Sequence, residues 1–143
     1  MKKDWVMDYA TGAFVRYASL GMPTRAAYED SVRQDVYKRL ATLEPRLILM
    51  KAEAEISKRN PLLEDIDAVN KVFMMLREND KEYILEALRA VYFVPPYTRV
   101  SRSVYAARVR AFSMEYPASE ISVYRWLKSA RELFAVYRGL TIE

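Results

Sequence analysis

Hydroxyls and cations fall at helical spacing along Ser119-Glu120-Ile121-Ser122-Val123-Tyr124-Arg125-Trp126-Leu127-Lys128-Ser129-Ala130-Arg131. A guanidinium offers a planar fork of donors that fits a phosphate or the edge of guanine. An ammonium is a compact point charge, and hydroxyls both donate and accept. This is chemistry for binding, not for bond making. The chain has no histidine and no cysteine. Disulfides, thiolate or imidazole zinc sites and Ser-His or Cys-His nucleophile pairs are therefore excluded. No cofactor and no metal are expected, and an enzyme is the least favoured class.

The charge is local. The net charge is +4. From Val94 to Glu143 there are eight basic residues, Arg99, Arg102, Arg108, Arg110, Arg125, Lys128, Arg131 and Arg138, against the acids Glu115, Glu120, Glu132 and Glu143. The remainder is balanced, so the C-terminal third carries the whole excess. A basic patch on one module is the footprint expected of a nucleic-acid reader. Lys2 and Lys3 have no apolar core of a signal peptide behind them, and runs such as Leu47–Met50 and Val72–Leu76 are far too short to span a bilayer. A cytoplasmic protein without a membrane partner is expected.

Seven helices must position these groups. Asp4 caps the first, which runs to about Leu20 with Trp5, Tyr9, Phe14, Tyr17 and Leu20 as its aromatic face; Gly21 stops it. Thr24 caps the second, to about Leu43, with Tyr28, Val32, Val36 and Leu40 repeating every four. Pro45 starts a third helix or kinks the second. Asn60-Pro61 opens a fourth with the stripe Leu63, Ile66, Val69, Val72, Phe73 and Leu76. Asp80 caps a fifth, Lys81 to about Phe93. Val94-Pro95-Pro96-Tyr97 is expected to be extended. The sixth runs from Ser101 or Ser103 to Tyr116, and the seventh from Ser119 or Ser122 to Gly139. The fold class is all-α: an N-terminal helical region, residues 1–79, then a helix-turn-helix module, residues 80–143.

The helix-turn-helix reading rests on Phe112 and Tyr116 as anchors one turn apart, Ser113 as the small residue, Pro117-Ala118 as the turn and Ser119 as the cap. Val123, Leu127, Ala130, Phe134 and Tyr137 then form the buried stripe of the second helix. Leu85, Leu88, Val91, Tyr92, Val109, Phe112 and Tyr116 complete the expected core. Arg125, Lys128 and Glu132 point away from the stripe, with Tyr124 and Ser129 at its flanks. This layout suits a recognition helix in a major groove of double-stranded DNA. Ser122, Arg125, Lys128 and Ser129 are the candidate base readers, and Ser119 and Tyr124 belong with them to the candidate DNA-binding face. Arg102, Arg108, Arg110 and Arg131 are the candidate phosphate contacts.

These residues resemble a known family. Leu88-Arg89-Ala90-Val91-Tyr92-Phe93, followed by Ser119 to Arg131, is similar to the C-terminal module of sigma factors, region 4. The likeness is nearest to phage regulators that borrow it, the RinA/ArpU type of late-transcription activator and the Q-type antiterminators. It covers roughly the last 60 residues. Pro117 stands where that family usually has glycine, and Ser113 where it usually has alanine. The resemblance implies a phage- or prophage-encoded, sequence-specific DNA-binding transcription regulator. RNA polymerase or a second copy of the chain would engage the N-terminal region.

Other readings stand beside these. The module also fits a small terminase-like DNA-packaging oligomer, or an adaptor whose helix-turn-helix only packs. Trp126 is read as a packing residue before a stacking platform. Among the tyrosines that alternate with arginines, Tyr116 and Tyr137 are read as core, and Tyr97 and Tyr124 as open to a base. Glu64, Asp65 and Asp67 suit the first turns of a helix, where the dipole favours acids, better than a cation site. Lys51, Glu53, Glu55 and Lys58 read as a solvated face.

Overall fold

The computed structural model describes residues 4–140 and is all-helical. In order, the helices are α1 (Trp5–Ser19), α2 (Arg25–Arg39), α3 (Pro45–Lys58), α4 (Asn60–Glu78), α5 (Glu82–Val91), α6 (Arg102–Glu115) and α7 (Glu120–Arg138). The helix starts follow the sequence closely because side-chain caps fix them. Asp4, Thr24, Ser101 and Ser119 each accept a backbone N–H from the first turn of α1, α2, α6 and α7. Pro45 starts α3 in the first turn, where its missing N–H costs nothing.

Three ends share one device. Gly21, Asp80 and Gly139 adopt positive φ after α1, α4 and α7. The next residue's N–H then reaches back five positions, as in Lys81 N–H to the Leu76 carbonyl at 2.8 Å. Asp80 therefore ends α4 instead of capping α5, whose N-cap position is Lys81 with no side-chain bond. The diproline segment turns rather than extends: the Tyr97 N–H bonds the Val94 carbonyl at 3.1 Å.

The chain divides into two compact units, residues 23–67 and residues 1–22 with 68–143. This does not coincide with the expected boundary at 79/80. Hydrophobic periodicity marks the buried face of a helix but not the helix it meets, and α1 packs on α7 within the larger unit.

In the smaller unit, α2 and α3 pack on one another across a short link. Val32, Val36, Ile48, Ala52, Ile56 and Leu63 form its core, with Tyr28 and Leu40 at the edge. Cross-helix ion pairs flank it: Arg33 to Glu53 at 2.9 Å and Arg39 to Glu55 at 2.8 Å. Glu53 and Glu55 thus tie α3 to α2 and are not simply a solvated face. Arg25 meets Asp67 at 2.8 Å. Glu64, Asp65 and Asp67 lie beyond the first turn of α4, so the dipole does not account for them.

In the larger unit, Phe14 is fully buried at the centre of an aromatic cluster. Its ring lies 6.0 Å from Tyr92, 6.4 Å from Phe93 and 5.7 Å from Phe134. Tyr17 meets Phe73 edge-on at 5.5 Å, a favoured aromatic geometry. The face of α1 differs from the expected one. Val6, Ala10, Ala13, Phe14, Tyr17 and Ala18 are buried, whereas Trp5 is 57% exposed, and Tyr9 and Leu20 are also exposed. The small side chains Ala10 and Ala13 permit close helix approach, a determinant that ring size hides.

Candidate nucleic-acid interface

Helices α5, α6 and α7 pack pairwise on one another within the larger unit. The shared core holds Leu85, Leu88, Val91 and Tyr92 from α5, Val109 from α6, and Val123, Leu127, Ala130 and Phe134 from α7. Ala135 is buried as well.

The expected anchors behave differently. Phe112 and Tyr116 are only half-buried. They stack on each other at 5.1 Å, and Tyr116 meets Trp126 edge-on at 5.9 Å. Trp126 in turn meets Tyr83 at 4.7 Å. A chain of four rings clamps the turn from its edge, and Val109 supplies the buried anchor one turn earlier. Tyr137 is likewise half-buried.

The turn itself is tight. Tyr116 is extended at the end of α6, and the Ala118 N–H bonds the Tyr116 carbonyl at 2.6 Å. Ser119 Oγ accepts the Ser122 N–H at 3.1 Å and donates to Ser122 Oγ at 3.0 Å. The two serines hold the start of α7 and engage each other.

Beyond them, Ile121, Tyr124, Arg125 and Lys128 recur at i, i+3, i+4 and i+7 on the exposed side of α7, with Ser129 exposed beside them. Among the described residues, neither Arg125 nor Lys128 has a side-chain partner. Arg102, the first residue of α6, is also exposed and without one.

Of the other candidate arginines, Arg108 and Arg131 are bonded into the fold, whereas Arg110 is exposed. Arg108 Nη1 donates to the Val91 carbonyl at 2.8 Å, and its guanidinium lies 5.7 Å from the Tyr105 ring. It satisfies the last carbonyl of α5, where a cation also complements the helix dipole. Arg131 Nη1 donates to the Tyr92 hydroxyl at 2.6 Å, while its Nε is buried with no acceptor among the described residues. Arg110 stands 4.0 Å from Glu120, at the limit of an ion pair.

The structure thus gathers Tyr124, Arg125 and Lys128 on one open face and ties Arg108 and Arg131 into the fold. It also brings in Arg99, absent from the sequence-based site, which lies 3.7 Å from Asp8 of α1. No local spacing signals that meeting, because the two residues are 91 positions apart. No group of three acidic or other ligating side chains that could hold a metal exists among the described residues. No described helix is long and apolar enough to cross a membrane.

Comparisons with protein-family models, curated proteins and solved structures give no match for this chain.

Proposed function

We propose that the protein is a sequence-specific double-stranded DNA-binding transcription regulator of the phage type, acting through α7. The observation that carries this reading is the open face of α7, where Tyr124, Arg125 and Lys128 project from a capped helix behind a tight turn. In a major groove, Arg125 would pair with guanine O6 and N7, and Lys128 would meet phosphate. Arg102 would add a backbone contact. One short reader helix gives limited specificity, so a second half-site or a polymerase contact is expected to complete recognition. The smaller unit offers Leu47, Leu49 and Met50, all exposed on α3, for such a contact.

The test is fluorescence anisotropy with genomic-fragment and random duplexes across a salt series, for wild type and the Arg125→Ala/Lys128→Ala variant. A preferred fragment, lost in the variant, supports the reading. Absence of binding at low salt removes it.

A second reading is an assembly or adaptor protein, such as a small terminase-like oligomer. The exposed apolar side chains of α3 and Ile121, 65% exposed on α7, favour it. Light scattering separates the two: a ring of many subunits points to packaging, a monomer or dimer to regulation.

A further inference from the structure

A cleft of about 660 Å³ opens within the larger unit, between α1, the segment ahead of α6, α6 and α7. Its size falls in the range of small-ligand sites. Arg99, Arg102 and Arg131 line it, with Asp8 as the acid facing them, so its charge is decidedly positive. Tyr105 and Tyr124 supply ring walls, and Leu127 lies among its apolar residues.

The cations are differently prepared. The bond to Tyr92 fixes the orientation of the Arg131 guanidinium in the cleft wall. Arg102 sits at the N-terminus of α6, where the helix dipole reinforces its charge. Arg99 is held near Asp8 at a distance that leaves its guanidinium open to a second anion. Guanidinium groups recognise phosphate through paired N–H donors, and tyrosine rings accept a planar partner by stacking.

We infer that this cleft binds a nucleoside monophosphate, with the phosphate between Arg99 and Arg102 and the base against Tyr105 and Tyr124. The inference does not depend on α7 being a DNA reader. The cleft is built from α1 as much as from α7, and Arg125 and Lys128 take no part in it.

Isothermal titration of the full chain with AMP tests it, with inorganic phosphate and a short duplex as parallel arms. Saturable AMP binding is expected, weakened at least tenfold in Arg99→Ala/Arg102→Ala and unchanged in Lys71→Ala. Should the double alanine variant fail to fold, Arg99→Lys/Arg102→Lys keeps the charge but not the paired donors, and a several-fold weakening is expected. Phosphate binding as tightly as AMP would overturn the role of the base. Duplex binding that needs Arg99 and Arg102 without any AMP binding would make the cleft a backbone contact and overturn the inference. No AMP binding, or AMP binding indifferent to both arginines, would also overturn it.

Discussion

The Tyr92 hydroxyl accepts from Arg131 Nη1 at 2.6 Å, joining the end of α5 to the middle of α7. Tyr92 is buried, and its ring also lies against Phe14 of α1. Tyr92→Phe keeps the ring and removes the acceptor, leaving the cation with one more unmet donor. It should cost about 1–3 kcal/mol of stability. Arg131→Met removes donor and charge together and strands only the neutral Tyr92 hydroxyl, so it should cost less than stranding a charged donor. Urea unfolding of both variants checks the order. A larger loss in Arg131→Met would show that the guanidinium has partners of greater weight than Tyr92.

Arg108 gives a prediction opposite to that of its sequence-based role. As a phosphate contact, Arg108→Ala would weaken DNA binding uniformly. With Nη1 on the Val91 carbonyl, it should instead lower stability, by about 1–3 kcal/mol for a charged hydrogen bond to backbone. Thermal unfolding and anisotropy, measured on the same preparations, separate the two. A folded variant with normal stability and weakened DNA binding would restore the phosphate role.

These arginines show where the sequence is legible and where it is not. Ser119, Val123, Leu127, Ala130, Phe134 and Gly139 lie where periodicity and capping place them, because helix geometry is local. The stripe of α4 from Leu63 to Leu76 is buried residue for residue. Long-range partners are another matter. Nothing in the spacing of α1 announces that Phe14 meets Phe134, or that Asp8 meets Arg99. An arginine's helical position gives the direction of its Cβ. Its long stem lets the charge swing to an inward acceptor such as the Val91 carbonyl. The open face of Tyr124, Arg125 and Lys128 was legible because no neighbour competes for it.

Gly12 lies inside α1, where glycine is unfavourable for its backbone entropy. A methyl group there would meet only the Arg99 Cδ at 3.9 Å, an ordinary contact. Gly12→Ala should therefore stabilise the protein by roughly 0.5–1 kcal/mol. The midpoint of thermal unfolding should rise by a few degrees. A fall would mean that the Arg99 side chain is displaced.

Tyr17 sets an alkaline limit. Burial pushes its phenol above the ordinary value of 10.0, and the charge of Arg77 pulls it partly back. The folded state then holds the proton more tightly than the unfolded chain. Its contribution is fully present below pH 10 and is lost as pH rises from there through the folded value. Tyr17→Phe removes this dependence together with the 2.9 Å bond to Asn70. The variant should be less stable than wild type at pH 8, and the gap should narrow above pH 10. Parallel stability curves through that window would contradict the assignment.

Arg125 and Lys128 should differ in kind if α7 reads DNA. A base contact by Arg125 concerns sequence, so Arg125→Ala should cost about 1–3 kcal/mol on the preferred duplex and little on random DNA. A phosphate contact by Lys128 concerns charge. Lys128→Ala should weaken all duplexes alike and reduce the slope of log affinity against log salt by about one. Neither side chain has a partner among the described residues, so both variants should retain wild-type unfolding midpoints, and binding losses can be attributed to the interface. Anisotropy on the two duplexes at several salt concentrations measures both effects at once. Equal, sequence-independent losses from the two substitutions would remove Arg125 as a reader and leave α7 with only an electrostatic role. Unchanged binding in both would move the interface off this face altogether.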